Sequence, residues 1–582
     1  MFLVMQLGIS KKFQKEKKES ALIMRKQTKI AAVVSAAALL ALGASITSFA
    51  AAKGTWMMVD GEWYCYDKNG DVYENTFCSS NGKEYYVGDD GMLVRSSWVE
   101  YDGDYYFVNS SGAKITNDWR LTTPYEDEDA DEEWFYFQST GKRADNKKIL
   151  YKGSTFFFDA DGKMLTGWVT ADGDQVVNEE NSINTSSAST TYYCDETGAR
   201  VESGWVYTTA PSTPDDDADA DEYWYYLKSS GKVATGKQSN VKGQGFVFGN
   251  KEENRGQMLT GWVGGTKDGD SYIYEEIGGE DSDAKLSEYA ASGVVYYCMY
   301  DEDKADGHIQ KNKWRKTWAP MDAYEEDEDA DKFWYWIEKD GKVFIPNSDE
   351  VKATGIKYEL GDGKMDEGDQ FNFAKKKINS KDYFFNEEGE MVSDFVSVVE
   401  TLDASVIGEG MYYFGGSNDG SMKTGSQTVK DDNGDSFKFY FGTKDNSTTG
   451  EVKGKGVTGN KNNKLYYMGH LVAAQDYKYQ PVFMDVAGNG KEVTFIVNQN
   501  GSIQHSALEY KEDGDILIDA KKNGVVFRTK NTDSKTWDKY SVDYDNGGAP
   551  IFNVEDIEER DVMPISTDTI ASGSVASGST PQ

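Results

Sequence analysis

Nine tryptophans are placed where an indole face could meet a ligand: Trp98, Trp119, Trp134, Trp168, Trp205, Trp224, Trp262, Trp314 and Trp334. A π-face attracts a quaternary ammonium by about 0.5–2 kcal/mol per ring. The same face stacks on the apolar side of a sugar. Two or three rings make only a weak site, but many linked weak sites retain a polymer through avidity. The competing role for any one ring is packing. Alternate strand residues face one side, so Trp134 and Tyr136 would share a face, Phe135 would take the other, and one face must be buried.

Carboxylates are the second group. Asp127, Asp129 and Asp131 alternate, as do Asp215, Asp217 and Asp219, and Asp327, Asp329 and Asp331. Alternating carboxylates can present oxygens to Ca²⁺. An EF-hand loop also needs a Gly after the third acid and a later Glu, and neither is in place. The other reading is a solvated, self-repelling loop. No cofactor other than this calcium is expected. His308, His470 and His505 lie in no HExxH motif, and no GxSxG, P-loop or dinucleotide fingerprint stands in a fitting strand–helix context. With 99 acids, pairs suited to glycoside hydrolysis are too common to mean anything. The expectation is a chain that binds and does not catalyse.

Four cysteines, Cys65, Cys78, Cys194 and Cys298, lack the CxxC spacing of a zinc knuckle. Cys65 and Cys78 are the one close pair. The alternative is buried free thiols, because Cys65, Cys194 and Cys298 occupy like positions after an aromatic pair.

These groups must be positioned by something, and composition says what. Of 582 residues, 13% are Phe, Trp or Tyr, and 59 Gly stand against 9 Pro. Short aromatic strands joined by tight turns give that balance; a helical bundle would want Leu and Ala. The formal charge of −37 removes nucleic acid and anionic membrane as partners, since both need a basic footprint, and leaves cations and neutral sugars. Residues 1–50 read as a signal peptide with a working start at Met24: a basic segment, an apolar run from Ile30 to Leu42, then Ser48-Phe49-Ala50 as a small-x-small cleavage point. A transmembrane anchor is the alternative. No later run approaches the roughly 18–20 apolar residues that span a bilayer.

Internal repeats organise the rest. Adjacent aromatics, a few polar residues and a Gly return as Trp63-Tyr64 to Gly70, Tyr105-Tyr106 to Gly112, Trp134-Phe135 to Gly141, Tyr192-Tyr193 to Gly198, Trp224-Tyr225 to Gly231 and Trp334-Tyr335 to Gly341. Many unit starts lie roughly 20 to 38 residues apart, the range of solenoids. Each unit reads as one hairpin, with the Gly supplying positive φ at a tight turn. One hairpin cannot bury its apolar face alone, so hairpins must stack. The expected fold is all-β: an elongated solenoid of stacked hairpins over 51–472, divergent repeats or a terminal cap over 473–560, and a disordered tail over 561–582.

Asp161-Gly162-Lys163-Met164-Leu165-Thr166-Gly167-Trp168-Val169, repeated as Met258-Leu259-Thr260-Gly261-Trp262-Val263 and in short form as Ser203-Gly204-Trp205-Val206, carries a resemblance. Together with Trp224-Tyr225-Tyr226 to Gly231, it resembles the cell-wall-binding repeats of Gram-positive surface proteins, which include choline-binding and glucan-binding modules. The likeness is scattered over about 56–470. It implies a hairpin solenoid and non-covalent attachment to wall polysaccharide, glucan or choline on teichoic acids, and the leader adds the expectation of a secreted, surface-held protein. It also implies cages built from the Trp of Gly-Trp, the Trp of Trp-Tyr-Tyr and an aromatic of the next hairpin. No Leu-Pro-x-Thr-Gly sorting motif is present, in line with non-covalent attachment. The second reading is a structural or adhesive surface fibre, its acidic loops facing Ca²⁺ or a host surface partner.

Overall fold

The structure is a computed structural model that describes residues within 51–558, apart from 178–181, 187–188, 214–218, 279–284, 300–306, 321–330, 362–363, 448–449, 475–476, 487–492, 505–507, 513, 522–523, 528–535 and 545–549. The leader over 1–50 and the tail over 561–582 lie outside the described residues, as do Asp215, Asp217, Asp327 and Asp329.

Strand and turn account for almost everything described. Antiparallel hairpins follow one another: Thr55–Val59 with Glu62–Tyr66, Thr76–Ser80 with Lys83–Val87, Ser97–Tyr101 with Asp104–Val108, and Asp118–Thr122 with Glu133–Phe137. Next come Lys147–Tyr151 with Ser154–Phe158, Gly167–Asp172 with Ser189–Cys194, Gly204–Thr209 with Glu222–Leu227, and Gly236–Val241 with Gln244–Phe248. Two compact units are formed. The first runs to Thr260 and takes in Ile273–Glu275 and Ala305–His308; the second comprises the rest. The second opens with Gly261–Asp268 paired to Gly293–Cys298 and Lys313–Trp318 paired to Lys332–Ile337. A short helix, Leu286–Ser292, lies between the first two of those strands and buries Leu286 against Trp262. Beyond Val351 the hairpins widen into two five-stranded sheets. Extra strands let one sheet cover more of its own aromatic face, and this part of 51–472 departs from one hairpin per unit. Sheets of four and three strands follow over Tyr479–Glu558. No helix among the described residues is long and apolar enough to cross a membrane.

The link between hairpins repeats. After each aromatic strand the chain turns, and the turn glycine donates its N–H to the carbonyl three residues back: Gly112 to Asn109 at 2.8 Å, Gly162 to Asp159 at 3.1 Å, Gly198 to Asp195 at 2.8 Å. Two residues past the glycine, a backbone N–H reaches the preceding hairpin, as Arg143 does to the Tyr105 carbonyl at 2.8 Å and Met164 to that of Trp134 at 2.9 Å. Gly198 shows why glycine is needed. Its φ is +79°, and a Cβ there would run into the Met164 sulfur.

Burial alternates with the pleat, as expected for strands. Phe135 and Phe137 are fully buried and pack with Phe107 and Trp98, whereas Trp134 is 42% exposed on the other face. The interior is a succession of such small clusters, each shared by adjacent hairpins. The fold is the all-β hairpin repeat that the sequence predicts.

Candidate binding grooves

The hairpin register builds the same aromatic corner three times. In Asp118–Thr122 paired with Glu133–Phe137, Trp119 stands opposite Tyr136, and Trp134 lies two residues along on the same face. The two indoles meet edge to face, with centroids 6.4 Å apart at 82°. A third wall comes from the next hairpin, where Phe156 lies 4.9 Å from Trp119. In Gly204–Thr209 paired with Glu222–Leu227, Trp205 and Trp224 stand 6.3 Å apart at 84°, and Phe246 is 4.9 Å from Trp205. In the second unit, Trp314 and Trp334 stand 6.5 Å apart at 89°, and Tyr383 is 4.9 Å from Trp314. Phe156, Phe246 and Tyr383 are each the third residue of their strands. Met164, Met258 and Met391 pack into the same clusters. Their N–H groups bond to the carbonyls of Trp134 (2.9 Å), Trp224 (2.8 Å) and Trp334 (2.8 Å), which fixes each thioether at its corner. Trp224 is 39% exposed, so this corner, like that of Trp134, faces solvent. The Trp334 indole N–H donates to Asn418 Oδ1 at 3.2 Å and leaves the ring face free of that bond.

Trp98, Trp168 and Trp262 do something else. Their indole N–H groups donate to the carbonyls of Thr123 (2.8 Å), Thr209 (2.9 Å) and Trp318 (3.0 Å), at or just after the end of the first strand of a cage hairpin. Their rings press edge-on against Phe135, Tyr225 and Tyr335, with centroids 4.9, 4.9 and 4.7 Å away. Those partners immediately follow Trp134, Trp224 and Trp334 and therefore face the opposite way. The nine candidate tryptophans thus divide between corner and packing positions. Trp262, 3% exposed, presents no face to a ligand, and Trp98 and Trp168 fasten the back of the cage hairpins.

Among the described residues, no three His, Cys, Asp or Glu gather closely enough to hold a metal ion. Asp127, Asp129 and Asp131 are exposed, and Asp127 Oδ1 accepts the Asp129 N–H at 3.1 Å, so the loop carboxylates serve a turn and solvent. Asp331 is likewise exposed; Asp327 and Asp329 lie outside the described residues. All four cysteines are buried, and none is in a disulfide. Cys65 and Cys78 hydrogen-bond to one another, and burial pushes both thiols up. Burial pushes the Cys194 thiol up to about 12. His470 lies in the second unit among aromatic rings, 5.2 Å from Phe439, where burial drives the imidazole down to about 4.

Among curated proteins, glucosyltransferase-I of Streptococcus downei is 24% identical over 458 residues, covering 70% of this chain and 24% of that protein. Glucosyltransferase-S of Streptococcus mutans is 24% identical over 189 residues, or 32% of this chain and 11% of that one. One of the three corners, Trp205–Trp224, stands on a hairpin that carries both the Gly-Trp and the Trp-Tyr-Tyr motifs, in a chain that aligns with these streptococcal proteins. The chain resembles cell-wall-binding repeats. Solved structures similar to this chain include the choline-binding domain of CbpL from Streptococcus pneumoniae, at 23% identity and TM-score 0.24, covering 35% of this chain and 86% of that one. Choline binding protein F from the same organism gives 15% identity and TM-score 0.28, covering 64% and 99%. No family model matches the chain. It spans a quarter or less of the length of these two curated relatives.

The reading from sequence did not single out Phe156, Phe246, Tyr383 or the three methionines. Their signal lies in the linker. Each methionine follows its turn glycine by two residues: Gly162 to Met164, Gly256 to Met258, Gly389 to Met391.

Proposed function

We propose that this chain attaches an exported protein to a bacterial wall, non-covalently, by seating quaternary ammonium groups of the choline type in the three tryptophan corners. The observation that carries the reading is the recurrence of one geometry: indoles near 6.4 Å and close to perpendicular, with a third ring and a thioether, at Trp119–Trp134, Trp205–Trp224 and Trp314–Trp334. A right-angled corner suits a compact, rounded cation whose methyl groups touch several faces. A sugar ring needs one broad open platform. The net charge of −37 also favours cationic over anionic ligands. The function is binding; the wall polymer supplies the repeated ligand, and linked corners supply the retention.

Mature protein is to be bound to purified walls and challenged with free choline or with wall and glucan oligosaccharides. Elution by choline is the expected result. Elution by oligosaccharide alone would assign the grooves to sugar. Indifference to walls under every condition would overturn wall attachment and leave the aromatics as scaffold.

A further inference from the structure

The residue two positions past the turn glycine occupies an equivalent place in successive hairpins, but its type changes. It is Met164, Met258 and Met391 at the tryptophan corners, Lys114, Arg143 and Arg200 in three other hairpins, and Leu93, Val343 and Met422 in others again. The backbone bond is the same at the corners and in the cationic set: Lys114, Arg143 and Arg200 donate to the carbonyls of Glu84, Tyr105 and Thr155, each at 2.8 Å. A cationic side chain therefore enters the groove that a thioether lines at the corners.

Arg143 shows the result most fully. It is 5% exposed. Its guanidinium carbon lies 4.3 Å from the Tyr105 ring centroid, 5.6 Å from that of Trp98 and 6.0 Å from that of Phe135. Tyr125, at the start of the acidic loop, packs 4.9 Å from Tyr105 and 6.5 Å from Trp98. Arg143 Nε donates to Asp145 Oδ1 at 2.6 Å, and a terminal nitrogen stands 3.4 Å from Glu126 Oε1. Several rings and two carboxylates around one cation form a recognition site for an organic cation, and the occupant is the chain's own side chain. Lys114 repeats the theme over Phe77 and Tyr106, at 4.8 and 5.3 Å, paired to Glu84. Arg200 does so over Tyr192 at 5.1 Å, paired to Glu202.

We infer that Arg143 is a resident ligand that holds the Trp98–Tyr105–Tyr125–Phe135 cage shut to external cations, and that the residue two past the turn glycine sets which grooves are open. The inference rests on the proposed function only for the methionine corners; the Arg143 cage is described by its own contacts. Filling a cage internally also fastens the acidic loop, since the Thr123 carbonyl and Glu126 both bond into it.

The test uses the full chain and choline chloride as probe. Equilibrium dialysis counts choline bound per chain for wild type, Arg143→Met, and Arg143→Met combined with Tyr105→Ala. Methionine already occupies this place at the three tryptophan corners and at Met422, so the single variant should fold; Arg143→Gln is a second variant that keeps a donor for Asp145, and circular dichroism confirms folding. The expected result is one further equivalent bound by Arg143→Met, lost again on adding Tyr105→Ala. The neutral isostere 3,3-dimethylbutanol should bind more weakly at the new site, where Asp145 and Glu126 are left facing the cage. An unchanged count in a folded variant overturns the inference. A wild type that binds none, with a variant that gains one, would refute the reading of the tryptophan corners and leave this one standing. Wild-type binding without the gain would do the opposite.

Discussion

Truncating Trp224 to alanine separates binding from stability. The ring is 39% exposed, and its aromatic neighbours are Trp205 at 6.3 Å and Tyr207 at 5.1 Å. Because it is not enclosed, its loss removes aromatic pairing of about 0.5–1.5 kcal/mol per contact and little cavity energy, so unfolding stability should fall by only about 1–2 kcal/mol. The groove loses one of its rings, about 0.5–2 kcal/mol of attraction for a quaternary ammonium. That corresponds to roughly a 2- to 30-fold weaker affinity at that corner. The corners at Trp119 and Trp314 keep theirs. Calorimetric titration with choline chloride should then resolve one weakened site beside unaltered ones. Retention on purified walls should drop by more than the single-site factor, because avidity multiplies over linked sites. Trp168→Ala is the control. It removes a packed ring whose N–H holds the Thr209 carbonyl, and should cost stability far more than the other corners' affinity. A Trp224→Ala protein that titrates and binds walls like wild type would refute the assignment of this corner.

Three further outcomes follow from the packing. Trp262→Ala removes a ring that is 3% exposed and orphans the Trp318 carbonyl, so urea unfolding of the second unit should lose about 3–5 kcal/mol. Gly198→Ala places a Cβ at φ +79° against Met164 and should lower the melting temperature, with a cost of about 1–3 kcal/mol. Burial holds the His470 imidazole at about 4, below its usual 6.5, so the unfolded chain takes up the proton first. Stability should therefore fall as pH drops from about 6.5 toward 4 and level off below, by at most about 3 kcal/mol. Denaturation curves at pH 7, 5.5 and 4 should show this slope, and His470→Gln should reduce it.

Much of the fold was legible because the signal is local. The aromatic run, the turn glycine and the period sit side by side in the chain, and the structure forms hairpins at those places. What lay beyond reading was which face of each strand a tryptophan takes. Trp134 and Phe135 are neighbours in sequence yet belong to different clusters, and only the partner strand decides which is covered. Gly-Trp was a poor guide for the same reason. Trp205 follows a glycine and builds a corner, whereas Trp168 and Trp262 also follow glycines and fasten hairpins from behind. Trp119 and Trp314 build corners after Asp118 and Lys313. The widening of the sheets past Val351 was equally hidden, because pairing between distant strands leaves no short-range mark.

The backbone bonds that run from linkers to the hairpins before them have a mechanical meaning. A chain joined link by link to its nearest neighbours gives way under tension one link at a time, each rupture releasing a few tens of residues and leaving the remaining links gripped. A tether made this way absorbs a pull by lengthening before it lets go.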